Sequence, residues 1–158
     1  KASQLLDDAC QEVRRIAHDM KSGTLARFGL EAELRAVANT IESSNQLKVQ
    51  ILVYGLKERL NNKIETGIYR IIQELISNIL KHSEASKMSI QLNRIGDELN
   101  VTVEDNGKGF QPDFAKNKGG MGLSGIQSRV NELNGTLNID SGKGRGTTVI
   151  IDVPCEAA

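Results

Sequence analysis

Arg70, Glu74, Asn78 and then Lys81 or His82 recur every three or four positions, the spacing that brings side chains onto one face of a helix. A carboxylate, an amide and a cation on one face can activate a nucleophile, hold Mg2+ and neutralise phosphate. On a helix with nothing else nearby, such a stripe is only a solvated face. Here it is accompanied by fifteen glycines, most of them in three clusters: Asp105-Asn-Gly-Lys-Gly109, Gly119-Gly-Met-Gly-Leu-Ser-Gly125 and Ser141-Gly-Lys-Gly-Arg-Gly146. Bare backbone amides can approach an anion where Cβ atoms would obstruct it. A helix opening near Gly122 adds unpaired N–H groups and a positive dipole end. One cluster alone reads as a flexible turn; three of them beside the polar stripe read as a phosphate cradle.

These residues must be positioned by the elements that carry them. Apolar residues at helical spacing over residues 1–20 (Leu5, Leu6, Ala9, Val13, Ile16, Ala17, Met20) predict an amino-terminal helix, interrupted at Ser22-Gly23. A second helix is expected over residues 30–42, after Gly29. Residues 49–54 read as a strand closed by Gly55. A long helix over residues 63–81 carries the polar stripe opposite Ile64, Ile68, Ile71, Ile72, Leu75, Ile76 and Ile79. Two alternating strands follow, Met88, Ile90, Leu92 and Leu99, Val101, Val103, joined through Gly96-Asp97 as a hairpin. The second glycine cluster opens a helix through Ile126, Val130 and Leu133, and strands over residues 136–140 and 147–153 flank the third cluster. That order predicts an α+β two-layer sandwich, with helices on one face of a mixed sheet.

Composition removes several functions. Twenty basic and twenty acidic residues cancel, so there is no basic field for sequence-independent nucleic-acid binding. Aromatics make up 3% with no Trp, which disfavours stacking on single strands. No apolar run is long enough to span a membrane, and the first residues lack a signal-peptide core. Cys10 and Cys155 lack metal-ligand spacing and favour a reducing compartment, so a cytoplasmic location is expected, with a membrane anchor in the full-length protein left open.

Gln73-Glu-Leu-Ile-Ser-Asn78-Ile-Leu-Lys-His82 resembles the N-box of the GHKL (gyrase, Hsp90, histidine kinase, MutL) ATPases. Glu104-Asp-Asn-Gly-Lys-Gly-Phe110 resembles their G1 box, residues 120–125 their G2 box, and Gly144-Arg-Gly-Thr-Thr148 their G3 element. The boxes stand in the family's order across residues 49–154. The short lid between Phe110 and Gly119 and the Lys-His-Ser-Glu-Ala ending of the N-box resemble, more narrowly, the catalytic domain of NarL/DesK-type sensor histidine kinases. The resemblance implies a Bergerat-type fold, ATP and Mg2+ as ligands, and transfer of the γ-phosphoryl group to a histidine and then to a response-regulator aspartate. It assigns Asp105 to the adenine amino group and Asn78 to Mg2+. The same likeness adds Lys81, His82, Gly107, Gly109, Gly120, Met121, Gly122, Leu123, Gly146, Thr147 and Thr148 to the nucleotide site. Glu74 is the candidate for polarising the nucleophile or a Mg2+-bound water.

The His18-Asp19 pair invites assignment as the phosphoacceptor, but too little chain separates it from Asn78 to hold a second dimerisation helix and a linker. Glu12-Val-Arg, Leu25 and Phe28-Gly-Leu-Glu-Ala-Glu-Leu34 instead resemble the end of that second helix. Residues 1–28 are therefore expected to close a dimerisation domain, 29–48 to form a connecting helix and linker, and 49–158 the ATP-binding domain. The acceptor histidine is expected upstream of Lys1, the full-length protein as a homodimer, and this chain as unable to label itself. Gly120, Gly122 and Gly125 also match a dinucleotide fingerprint, but a polar loop precedes them where a strand is required. No Walker loop occurs. An ATP-binding regulator or serine kinase of the anti-sigma class and a pure dimerisation module remain as alternatives.

Overall fold

The computed structural model describes Gln4 and residues 23–45, 47–111 and 122–156. The helix predicted over residues 1–20 lies outside them except for Gln4.

The central helix, α2 (Asn62–Asn78), begins where the Asn61 side-chain oxygen accepts the Lys63 N–H at 2.8 Å, satisfying one of the donors a helix start leaves open. Its apolar side, Ile68, Ile71, Ile72, Leu75 and Ile76, is buried. Before it come α1 (Thr24–Ser43) and β1 (Lys48–Tyr54); after it come β2 (Lys87–Ile95), β3 (Glu98–Asp105), α3 (Leu123–Glu132), β4 (Thr136–Ser141) and β5 (Thr147–Pro154).

The five strands form one sheet in the order β1-β2-β3-β5-β4, with β1 and β2 parallel and every other pair antiparallel. Register sorts the side chains. Val49, Met88, Asp105 and Thr147 lie on one row, as do Ile51, Ile90, Val103, Val149 and Ile139. That face packs with the apolar sides of the three described helices into a single core. The opposite face carries Gln50, Ser89, Glu104, Thr148 and Asp140, one position out of phase. The result is the predicted two-layer α+β sandwich.

Two elements differ in detail from their expected form. The helix predicted over residues 63–81 is α-helical only to Asn78 and then opens into a π-helical turn, Ile79–Ser83. There the Ser83 hydroxyl donates to the Ile79 carbonyl at 2.7 Å, and Glu84 ends the turn in the left-handed region. The wider turn keeps both Ile79 and Leu80 buried. The helix expected from residue 30 begins at Thr24 and is broken internally at Gly29, whose backbone (φ 85°, ψ 179°) is not helical.

Candidate functional site

β3 delivers Asp105 to the helix-covered face of the sheet at its very end, where the residue is 6% exposed. The turn that follows is held from several sides. The Gly107 N–H donates to Asp105 Oδ1 at 2.8 Å. Asn106 Oδ1 accepts the N–H groups of Ser86 and Lys87, each at 2.9 Å, tying the turn to the start of β2. The Lys108 N–H donates to the Ser83 carbonyl at 2.7 Å, which fixes it to the π-helical turn. Gly107 passes so close to Ser83 that a Cβ there would overlap the Ser83 carbonyl oxygen, so only glycine fits this approach.

The third glycine cluster locks onto the same turn. The Gly144 N–H donates to the Lys108 carbonyl at 2.6 Å, and the Phe110 N–H donates to Ser141 Oγ at 2.9 Å. Ser141 Oγ in turn lies 2.8 Å from Thr147 Oγ1 and donates to the Gly146 carbonyl at 3.2 Å. A Cβ on Gly146 would overlap the Asp105 carbonyl.

Between these loops and α2 lies a cavity of about 180 Å3. Leu75, Ile79, Val103, Leu123 and Val149 supply apolar walls, while Asn78, His82, Asp105 and Thr147 supply the polar groups at its margin. Burial pushes the Asp105 carboxyl above the ordinary carboxylate range; the Gly107 N–H works against this, and neighbouring Glu104 adds to it. Apolar walls with a few convergent polar groups suit a flat heterocycle. A buried carboxylate accepts hydrogen bonds when ionised, so it selects a ring that carries an amino donor.

The structure brings together at or beside this cavity Asn78, His82, Asp105, Gly107, Gly109, Leu123, Gly146 and Thr147. Gly122 is the residue before α3, and a Cβ on it would overlap Glu74 Oε1, so Glu74 lies beside the start of that helix. Lys81 is exposed and does not line the cavity, because the π-helical turn carries His82 there instead. Thr148 pairs with Glu104 and Asp140 on the outer face of the sheet, away from Thr147. Gly120, Met121 and most of the expected lid fall outside the described residues. Ser83, Lys108, Phe110 and Ser141 were not singled out from sequence. Ser141 had a signal, a hydroxyl between a strand and a glycine loop; Ser83 acts through its backbone, which its residue type does not reveal.

Among the described residues no group of three or more His, Cys, Asp or Glu side chains could hold a metal ion. A divalent cation at this site would need a bound polyphosphate to complete its oxygen ligands, as Mg2+ commonly does, with Asn78 as the side-chain contribution. No described helix is long and apolar enough to cross a membrane.

A mixed sheet covered on one face by helices, with a glycine-bounded pocket between a helix and the sheet, is an arrangement able to hold a nucleotide. Residues 63–157 match the family described as histidine kinase-, DNA gyrase B-, and HSP90-like ATPase, and the chain belongs to that family. ATP binding follows from that membership. The chain is 33% identical over 151 residues to the signal transduction histidine-protein kinase/phosphatase DegS of Brevibacillus brevis, covering 96% of this chain and 39% of that protein. It is 32% identical over 152 residues to the oxygen sensor histidine kinase NreB of Staphylococcus carnosus, covering 96% of this chain and 43% of that protein. It therefore spans about two-fifths of the length of these curated relatives. Among solved structures, the histidine kinase domain of the Erythrobacter litoralis EL346 blue-light activated histidine kinase superposes with a TM-score of 0.62 at 29% identity, over 79% of this chain and 60% of that one. The Acinetobacter baumannii histidine kinase AdeS, at 19% identity and a TM-score of 0.61 over 78% of this chain and 64% of its own, shares the fold.

Proposed function

We propose that this chain is the ATP-binding catalytic part of a two-component sensor histidine kinase of the NarL/DesK type. The observation that carries the reading is Asp105, a buried carboxylate at the end of β3, held by Gly107 at the margin of an apolar cavity. In this reading the adenine ring enters between Leu75, Ile79, Val103 and Val149, and Asp105 accepts from its amino group. The polyphosphate then runs toward Asn78, His82 and the start of α3, whose N–H groups favour negative charge. When bound, Mg2+ neutralises the phosphates, with Asn78 as its protein ligand. Lys81 and Thr148 have no place in this arrangement, and Glu74 has one only if the phosphates reach the N-terminus of α3.

The reaction is phosphoryl transfer. The bond between the γ-phosphorus and the β–γ bridging oxygen breaks to leave ADP, a bond from the lone pair of histidine Nε2 forms, and the ring proton on Nδ1 is released to solvent. Such a step asks mainly for positioning and charge neutralisation, which the cavity and glycine loops supply. A response-regulator aspartate receives the group next. Residues 1–28 belong in this reading to the dimerisation domain, 29–48 to the connection and 49–158 to the catalytic domain; the break in α1 at Gly29 supports the first boundary. The acceptor is a histidine outside this chain, and the working protein is a homodimer.

Incubation with γ-labelled ATP and Mg2+ should leave this chain unlabelled and should label a supplied histidine-bearing dimerisation domain with acid-labile phosphate. Acid-stable phosphoserine on a protein substrate would favour the anti-sigma class of kinase instead. Labelling of this chain that disappears in His18→Gln would place the acceptor within it.

A further inference from the structure

We propose that Arg59 is a latch that fixes the direction in which the chain before Gly29 leaves the catalytic domain, and that its release changes phosphoryl transfer without changing ATP binding. The second half of this statement rests on the kinase reading above.

The two sides of Gly29 are held very differently. Beyond it, Leu30, Leu34, Val37, Ala38 and Ile41 are buried in the core, and Glu33 accepts the Tyr69 hydroxyl at 3.0 Å. That part of α1 is fixed to α2. Before it, Ala26, Arg27 and Phe28 are exposed, Phe28 by 67%, and only Leu25 packs partly against the core. Among the described residues, the polar hold on this piece is Arg59, which donates from Nη2 to the Leu25 carbonyl at 3.0 Å and from Nη1 to the Ala26 carbonyl at 3.2 Å. These carbonyls close a helical piece that cannot satisfy all of its own acceptors. Gly29 joins the two sides with a positive φ of 85°, and a Cβ there would sit 3.1 Å from Arg59 Cδ and Nε.

The other edge of the same guanidinium grips the catalytic domain. Arg59 donates from Nε and Nη2 to the two carboxylate oxygens of Glu65, at 2.7 and 2.6 Å. Glu65 stands in the first turn of α2 and is 2% exposed. A planar fork with five donors can hold a carboxylate and two carbonyls together; a lysine ammonium cannot reach all three. Arg59 thus connects the exit of the preceding chain to the helix that carries Asn78 to the cavity. Among the described residues, a polar hold by Arg59 and the partial packing of Leu25 on one side, a packed core on the other and a glycine between them make a joint whose polar restraint can be removed.

The test is hydrogen exchange on the 158-residue chain, comparing wild type with Arg59→Lys and with the double variant Arg59→Gln/Glu65→Gln, which leaves no unpaired buried charge. Both variants should exchange the amides of residues 24–29 about tenfold faster, with β2 and β3 unchanged. Mg·ATP affinity by calorimetry should stay within about twofold, and turnover of transfer to a supplied histidine-bearing dimerisation domain should change by about threefold or more. Unchanged exchange at residues 24–29 overturns the latch, as does faster exchange with unchanged turnover. Failure of wild type to bind Mg·ATP, or to label any histidine, would instead overturn the kinase reading, and the exchange result would then decide the latch by itself.

Discussion

The two ends of α2 carry polar groups in comparable numbers and use them in opposite ways. At its amino-terminal end Glu65 is enclosed with both its oxygens paired to one edge of Arg59, and Tyr69 donates to the buried Glu33. Burial and the adjacent Glu33 push the Tyr69 hydroxyl well above its ordinary pKa, so it remains a donor. Its bonding is not complete, since among the described residues Glu33 Oε2 has no hydrogen-bond partner. Its bonded groups face other protein groups. At the carboxy-terminal end Asn78 and His82 line a cavity with Asp105 across from them. Buried charge occurs at both ends and therefore does not mark a site. What distinguishes the second end is a set of glycines whose backbones press against their neighbours, leaving room beside a carboxylate.

If the contrast is correct, substitutions at one end should change ligand binding and those at the other should change stability. Gly107→Ala should have the largest effect. Its Cβ would overlap the Ser83 carbonyl, so the turn must shift and carry Asp105 with it; ATP should bind weaker by about 3 kcal/mol in a calorimetric titration. Wild-type affinity in that variant would show that the close approach has no bearing on the site.

Asp105→Asn comes next, with a loss of about 2 kcal/mol in ATP affinity as a charged acceptor becomes a neutral one. Its effect on stability should have the opposite sign. A carboxyl whose folded pKa is raised holds its proton more tightly in the folded state than in the unfolded chain. The stability it confers is full below its unfolded pKa and is lost as pH rises through the folded pKa. The variant lacks this loss, so its melting temperature relative to wild type should rise between acidic and neutral pH. A relative fall over that range would contradict the assigned cause of the shift.

Tyr69→Phe should have the smallest effect on the ligand. Losing the hydroxyl removes its bond to Glu33 Oε1 and should lower unfolding free energy by about 1 kcal/mol, read from a urea transition. ATP affinity should be unchanged. A drop in affinity as large as that of Asp105→Asn would erase the distinction between the two ends.

Much of this arrangement was legible in the sequence because it depends on short periods. The apolar repeat of α2, the alternation in β2 and β3 and the turn at Gly96-Asp97 each declare their element locally, and the glycine boxes marked the loops around Asp105. Strand alternation could also have separated Thr147 from Thr148, since neighbours on a strand face opposite ways. Other features were hidden for physical reasons. The π-helical turn changes the angular step after Asn78, so the three-and-four spacing that grouped Lys81 with His82 no longer holds. Lys108 is anchored by the backbone of Ser83, and Arg59 by carbonyls of Leu25 and Ala26 distant in sequence. Backbone acceptors have no residue type, so composition and spacing carry no trace of them.

The central claim is that Asp105 reads an adenine amino group inside the cavity. Its most direct test is a calorimetric comparison of Mg·ATP and Mg·GTP binding to the folded wild-type chain and to Asp105→Asn. Guanine presents a carbonyl where adenine presents its amino group, so wild type should prefer ATP by about tenfold or more, and the variant should lose most of that preference. Equal affinities for the two nucleotides in wild type, or a preference that survives in Asp105→Asn, would contradict it.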